Sequence, residues 1–478
     1  MKRISTASSK HKIGFKGLVY SVDESLLGLE YSPESYNFTF RNGVLKSDMG
    51  IGYAKGHYRH DENVRHRISA VPNNENIKDV FVYHKRSDGQ YDDRLVAQTD
   101  EGNFYTTKIF EPCQWTKIEG IVTPKDVCGV NYNYNGKDTL IISGDQIGLM
   151  IYDGEKVTRV EGAPTFSSLA IHYERVFGVV NGKENQVWFS SALDPTNWIV
   201  SGEGAGFVTF QDECGDVEKI VSFLGYLYIF REHGIFRLTA YGDQSEFSLK
   251  KVFTDVGRIY KHTIVIAGNR ILFCTDDGIY TFDGYNVTKT NLEIPVTTAR
   301  GYMSACYLND KYYLAVKIDK KEFVDGIRIN NALIEYDLKE KTISVLAPFD
   351  VRKLVSLNAH YATEVLVVSR GQYGDTLGMV VPDSEYFGKD IEKNYRTSVN
   401  DLGSDKVKII REIVVNTKHP LTVTVVYDGH ERSFDFKGAN SPKRAFVDRC
   451  GNEIGFKISS TSKEALVSPI TVKIDTGR

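Results

Sequence analysis

From about residue 75 to residue 395 the chain repeats one unit: a short run of β-branched and aromatic residues, a Gly, Asp or Asn turn, and a second such run. DRLVAQTDEGNFYTTKI (93–109), KDTLIISGDQIGLMIYDGEKVTRV (137–160) and NRILFCTDDGIYTFDGYNVTKT (269–290) are three copies. The first run of each is apolar throughout, as a strand covered on both faces must be. The turns DEG, GDQ, NGK, EHG and DDG hold residues that tolerate a positive φ. The second run alternates, as in IYTF and IFRL. The unit returns every ~40–50 residues, the period of a propeller blade. One such hairpin cannot bury its own faces, so the repeat predicts closure into a ring. The expected fold is an all-β propeller, with seven blades preferred and six as the alternative. An open β-sandwich array is the rival. Helical patterning is nearly absent; the best candidate is YSPESYNF (31–38), with Ser32 as N-cap and Pro33 at the first helical position.

The repeat stops at about residue 396. KVKIIREIVVNTK (406–418), LTVTVVYDGHERSFDF (421–436), EIGFKISS (453–460) and PITVKID (469–475) alternate instead, and predict a small C-terminal antiparallel β-sandwich. The expected division is an N-terminal arm with a short helical turn (1–70), a propeller (71–395) and the sandwich domain (396–478). The 478 residues are 41% hydrophobic, with 28 Tyr and 25 Phe, which is enough to fill a sizeable core. Lys plus Arg total 59 and Asp plus Glu 62, so the net charge of −3 gives no global basic field for nucleic acid. The six Cys show no CxxC spacing and are expected as scattered reduced thiols. No apolar run approaches the ~18 residues of a membrane span. The basic start MKRISTASSKHKIGFKG lacks an apolar signal core, so synthesis in a cytoplasm is expected.

VWFSSALDPTNW (187–198) is the segment that most resembles an enzyme motif. Sialidase-type propellers repeat S-x-D-x-G-x-x-W at blade turns. Here the Ser-to-Asp spacing is one too long, Thr196 stands at the Gly position, and the box occurs once. The residues fit a structural turn: Asp194 and Asn197 can accept backbone N–H groups, Pro195 fixes φ, and Trp198 covers the corner. SDGQYDD (87–93) and SGDQ (143–146) are expected as solvated acidic turns, with a bound cation as the alternative. His57, His60 and His66 lie among Arg59, Arg65 and Arg67, which would oppose a metal; a solvent-facing loop or an acidic partner is expected, and a polyanion site is the alternative. G-x-S-x-G, H-E-x-x-H and phosphate-loop motifs are absent. No catalytic, cofactor-binding or metal-ligating residue is predicted, and no cofactor.

Two stretches together resemble a family. LLGLEYSPESYNFTFRNGVLKSDMGIG (26–52) has a short turn, an Asn-centred strand, Gly43–Val44–Leu45 and a polar linker to Gly50. ERVFGVVNGKENQVWFSSALDPTNW (174–198) has a strand with Arg175 and Phe177 leading to V-W-F-S-S-x-x-D-P-x-x-W. Both resemble the tail nozzle, or packaged-DNA stabilisation, proteins of bacteriophages, although Lys46 and Met49 stand where that family often has an Arg. The resemblance implies a non-enzymatic virion component, a head-to-tail connector built on a β-propeller. It implies a homo-oligomer, expected as a hexameric ring, around a channel for double-stranded DNA in transit. Portal or adaptor proteins and tail fibres or spikes would be its neighbours. Loops at 317–331 and 201–216 are candidates for the lumen, with packing on a neighbouring blade as the alternative. A carbohydrate-recognising or carbohydrate-cleaving propeller, and a generic interaction propeller, are the competing expectations.

Overall fold

The computed structural model describes the whole chain except residues 1–5, 21, 59–60, 88, 111–112, 203, 255–256, 291–301, 319–329, 361, 370–376 and 478. The described residues form β-strands and a few single-turn 3-10 helices, and none of the helices is long and apolar enough to cross a membrane. Seven antiparallel blades open with the strands Ile77–Tyr83, Val127–Tyr134, Phe166–His172, Val217–Phe223, Val265–Ala267, Ser304–Leu308 and Lys353–Ala359. Blades 1 to 6 are four-stranded sheets in simple chain order. The opening strands pack against one another around the axis. Where blade 2 meets blade 1, Asn131 donates its Nδ2 to Val82 O at 2.8 Å and accepts from His84 N at 2.9 Å.

Each gap between blades holds its own apolar cluster, which explains the doubly apolar strands. In Arg94–Thr99, Leu95 and Ala97 face blade 7 while Val96 faces blade 2. In Lys137–Gly144, Leu140 and Ile142 face blade 1 while Ile141 faces blade 3. A middle strand is wedged between two neighbours, so both of its faces are removed from water. The clusters run continuously from blade 1 to blade 7 and back, with Leu366 and Met379 of blade 7 packed with Ile77 and Leu95 of blade 1. The ring is therefore a closed seven-bladed propeller.

Closure takes a strand from the N-terminal segment. Gly50–Tyr53 pairs antiparallel with Leu377–Val381 as the fourth strand of blade 7. Thr6–Ile13 pairs with Ile470–Gly477 in one sheet of the sandwich, and Glu34–Tyr36 pairs with Lys393–Arg396 in the other. The segment expected as an arm over 1–70 is thus woven into both units. The helix expected over 31–38 is corrected as well: Tyr31–Ser32 and Glu34–Tyr36 are strands. The Ser32 hydroxyl does not cap a helix; its one proton lies between two carbonyls, Arg396 O at 2.6 Å and Glu34 O at 2.7 Å, next to the strand's partner. The short helical turn falls earlier, at Glu24–Leu26, with Asp23 accepting from Ser25 N.

Sandwich and propeller share one core. Phe38, Phe40 and Leu45 pack with Ile410, Val423 and Phe456 of the sandwich and with Leu314 and Val345 of blade 6. Asn37, at φ 64°, locks the joint: its amide donates to Ala347 O and to Glu392 O, both at 2.7 Å, and accepts from Ala347 N at 3.0 Å. Asn tolerates that left-handed conformation better than most residues, and its side chain mimics a backbone pair here.

Candidate functional site

The 187–198 segment turns at the edge of blade 3, between its third strand, Lys183–Phe189, and its fourth, Gly206–Thr209. Asp194 Oδ1 accepts from Thr196 N at 2.9 Å, and Asn197 Oδ1 accepts from Ile199 N at 3.1 Å. Trp198 donates its indole N–H to Pro195 O at 2.9 Å and lies buried against the Phe166 ring, 4.8 Å away. Arg175 bonds Ser190 O and Gly204 O from below at 2.8 and 2.9 Å. Asp194, Asn197 and Trp198 are thus engaged in holding their own corner.

The same end of the propeller carries an unusual surface. Turns after the first strands and turns after the third strands emerge on one face. On blades 3, 4 and 5 they expose Tyr173, Leu193, Ile199, Leu224, Tyr241 and Tyr285, from 52% at Tyr173 to 77% at Ile199. Two of these side chains meet across blades 3 and 4. The Tyr173 and Tyr241 rings meet edge to face at 5.0 Å, and Tyr173 Oη donates to Gly225 O at 3.3 Å. Tyr173, Leu193 and Leu224 have φ of 51°, 59° and 47°. Bulky residues at such angles cost about 1–3 kcal/mol each, where Gly or Asn would serve the turn without strain. Exposed Glu174, Asp243, Glu246 and Asp283 lie in the same turns.

The axial channel is the third feature. A cavity of about 150 Å3 opens at the starts of the inner strands of blades 1, 2, 6 and 7, and His262 of blade 5 also lines it. Lys353 pairs with the buried Asp79, Lys78 with Asp126 at 2.8 Å, and Arg352 with Asp100 at 3.2 Å. Burial pushes the Asp79 carboxyl up despite Lys353. Lys219 and Lys261 are half-buried, and each bonds a main-chain carbonyl of another blade, Ile264 O at 2.7 Å and Ser167 O at 2.6 Å. Burial, then the charges of Lys261 and Lys353, hold Lys219 down to about 8.

A wider cleft, about 900 Å3, lies between blades 1, 2 and 7. Tyr91 and His360 stack in it at 3.9 Å, and the Arg86 guanidinium is 4.9 Å from the Tyr91 ring. The acidic turn expected over 87–93 is corrected here. Asp92 and Asp93 are buried: Asp92 holds Arg94 at 2.7 Å and Lys108 at 3.2 Å, and Asp93 faces His84 at 3.4 Å. Burial would raise the Asp93 carboxyl, but bonds from His84 and main-chain N–H groups bring it below the usual range.

The histidine cluster is also resolved in part. Lys55–Tyr58 and Asp61–Arg67 form a hairpin, not an open loop. His57 is buried 3.3 Å from Glu364 of blade 7, which also pairs with Arg65 at 2.6 Å, so the acidic partner lies within the chain. Arg59 and His60 lie outside the described residues. Among the described residues no three His, Cys, Asp or Glu side chains group as a metal site. The six cysteines are free, and burial pushes the Cys128 and Cys274 thiols up to about 12. Of the proposed lumen loops, 319–329 lies outside the described residues. The 201–216 stretch contains the outer strand of blade 3, and its Asp212 is held by Arg231 and, at 3.2 Å, by Lys251. That acid is therefore not free to repel DNA.

No protein-family model matches the chain, and no curated protein sequence does. Among solved structures it is similar to the computationally designed Ika8 protein, at 10% identity over 77% of this chain and 98% of that one, with a TM-score of 0.41. BBS1N in complex with ARL6DN is similar at 11% identity over 66% and 92%, TM-score 0.41. YCF48 bound to a D1 peptide is similar at 10% identity over 66% and 93%, TM-score 0.39. At such identities and TM-scores these likenesses carry no functional inference.

Proposed function

We propose that the protein is a structural subunit of a bacteriophage virion, a tail nozzle or connector component that works in a homo-oligomeric ring around the DNA channel. In that role it retains packaged DNA, passes it at ejection without reading its sequence, and contacts portal or adaptor proteins on one side and fibres or spikes on the other. The observation that carries the reading is the apolar face of blades 3 to 5. Three of its side chains are kept at strained backbone angles and none is buried within the chain, which is the signature of a surface used in assembly.

A complementary surface is present. The edge strand Lys443–Gly451 of the sandwich exposes Phe446 among Lys443, Arg444 and Arg449. Basic side chains around an aromatic match an apolar face with acidic neighbours. Two different patches meeting on successive copies make a heterologous contact, which closes into a ring when the rotation allows. The test is negative-stain imaging and mass measurement of the purified chain, alone and mixed with bacteriophage portal and adaptor proteins. Rings that stack on the portal complex are expected. A chain that stays monomeric at all concentrations and ignores those proteins overturns the reading.

One observation favours a second reading, glycan recognition. The cleft between blades 1, 2 and 7 is polar, of oligosaccharide size, and holds the Tyr91–His360 stack. Glycan-array binding lost in Tyr91→Ala would favour it over assembly.

A further inference from the structure

We propose that the cleft between blades 1, 2 and 7 takes a saccharide with an acidic substituent, a carboxylate, sulfate or phosphate on the sugar, bonded by Lys85, Arg86 and Lys137. The inference rests on the second reading above, glycan recognition, and names the ligand class of that cleft. It follows from which hydrogen-bonding groups of the lining are already taken. Four carboxylates line the cleft, and the protein itself occupies three of them. Asp93 accepts from Lys85 N at 3.2 Å and from His360 N at 3.3 Å. Asp138 accepts from Arg86 N at 2.9 Å and from Asn133 Nδ2 at 3.0 Å. Asp153 accepts from the main-chain N–H groups of Glu155 and Lys156, at 3.0 and 2.9 Å. The fourth, Glu155, is exposed and its carboxylate has no partner among the described residues.

The cations are in the reverse state. Lys85, Arg86 and Lys137 line the same cleft, and none has a carboxylate within salt-bridge distance among the described residues. Lys85 Nζ is held by a single bond, to Asp153 O at 3.1 Å. It lies over Gly154, where a Cβ would collide with it, so the glycine makes room for the ammonium. One of its three N–H groups is used and two remain. Arg86 rests on the Tyr91 ring at 4.9 Å, and its side chain has one long hydrogen bond, to Tyr91 Oη at 3.5 Å. Most of a planar fork suited to a carboxylate or phosphate is left over. Lys137 is exposed and its ammonium bonds nothing among the described residues. Free donors beside occupied acceptors call for a ligand rich in acceptors, and unmatched cations call for negative charge on it. At a distance the four acids offset the three cations, so the selection is made by contact and not by steering. The rest of the lining selects a sugar. A nucleobase has two apolar faces to cover, whereas a sugar has one face of C–H groups and a rim of hydroxyls. The cleft has aromatic surface only at the Tyr91–His360 pair, and its other lining residues are polar, Gly or Ala. Its volume of about 900 Å3 is near the top of the ~300–1,000 Å3 range of small-ligand sites, which gives room for an oligosaccharide.

The test is binding of the full chain to an array of neutral, carboxylated, sulfated and phosphorylated glycans, with nucleoside monophosphates as a further arm, followed by calorimetric titration of the strongest ligand. Hits confined to acidic glycans are expected. Arg86→Gln and Lys137→Gln change exposed side chains, so each should keep the wild-type thermal midpoint and weaken binding about tenfold. Lys85→Gln should weaken it as much. Glu155→Gln should tighten binding about threefold, because it removes the one unpartnered negative charge of the lining. Side chains that serve stability alone would not shift affinity in opposite directions by sign of charge. Lys10→Gln, on the sandwich, should change nothing. Neutral glycans bound as well as acidic ones, or acidic-glycan binding unchanged in the Arg86→Gln/Lys137→Gln double variant, overturns the inference and leaves glycan recognition standing. An array without a glycan hit, with or without nucleotide binding, overturns both.

Discussion

Arg41 shows what this fold demands of a buried charge. Its guanidinium lies 2.7 Å from Glu335 Oε1 of blade 6 and 3.2 Å from Asp48, while Lys311 at 2.8 Å and the Tyr313 hydroxyl at 3.3 Å take Glu335 Oε2. Arg41→Ala leaves a buried carboxylate oxygen without its cation, so unfolding in urea should show a loss of about 3 kcal/mol. His172 is the complementary case. It is buried, its Nδ1 lies 2.9 Å from Ser222 Oγ, and burial holds its pKa down to about 4 from 6.5. The unfolded imidazole takes a proton below 6.5 and the folded one does not until about 4. The stability contributed by the neutral ring is therefore complete above pH 6.5 and is lost as pH falls towards 4, at up to about 1.4 kcal/mol per pH unit. His172→Asn places an amide atom where Nδ1 stands against Ser222 and does not titrate, so its thermal midpoint should fall less steeply between pH 6.5 and 4.5 than the wild type's. Residues with local roles were legible in the sequence. Asp194, Asn197 and Trp198 reach main-chain groups within three residues, and local side-chain chemistry foretells that. Leu193 and Leu224 were not legible, because an apolar residue in a turn reads as core until the backbone shows its φ and the side it faces.

Strands were legible in proportion to how many faces they bury. The segments 137–160 and 269–290 fall on the second, third and fourth strands of blades 2 and 5, where middle strands are apolar on both sides. The inner strands gave little signal. Val127–Tyr134 turns Asn131 to a neighbouring blade and is only half-buried along most of its length, so its pattern resembles a loop. The channel lysines come from strands and turns of different blades, Lys78 to Lys353, and no spacing rule joins them. Ring closure was hidden for the same reason: Gly50–Tyr53 meets its partner some 325 residues later in the chain. Gly50 is where that closure is most sensitive. A Cβ there would lie 2.2 Å from Asp383 O and 2.5 Å from Glu385 N, both backbone atoms that cannot yield without moving the hairpin that follows blade 7. Gly50→Ala should therefore loosen one seam and spare the rest. Hydrogen exchange should accelerate in Leu377–Val381 and Gly50–Tyr53, with blades 3 and 4 retaining their protection. Uniform loss of protection across all blades would mean that the ring does not close at this strand.

For the whole molecule, the apolar face and the basic edge strand make a prediction that neither surface makes alone. Leu224→Gly removes one strained angle and should stabilise the isolated chain by about 1 kcal/mol, yet it also removes a contact side chain and should weaken assembly. Stability and assembly then move in opposite directions, which a purely structural Leu224 could not produce. Leu193→Glu/Tyr241→Glu spoils the face and leaves the strand intact; Arg444→Glu/Phe446→Ser spoils the strand and leaves the face intact. Either double variant alone should be monomeric with a wild-type thermal midpoint, since all four side chains are exposed. Mixed together, the first supplies a good strand and the second a good face. One heterologous contact can form, and the remaining face and strand of that pair are both defective, so growth stops at a one-to-one dimer. Mass measurement of the mixture should show that dimer and nothing larger, and it should weaken with salt because charge complementarity helps hold it. An isologous contact gives a different pattern: face to face, only the strand variant would still self-associate; strand to strand, only the face variant would; and mixing would add nothing.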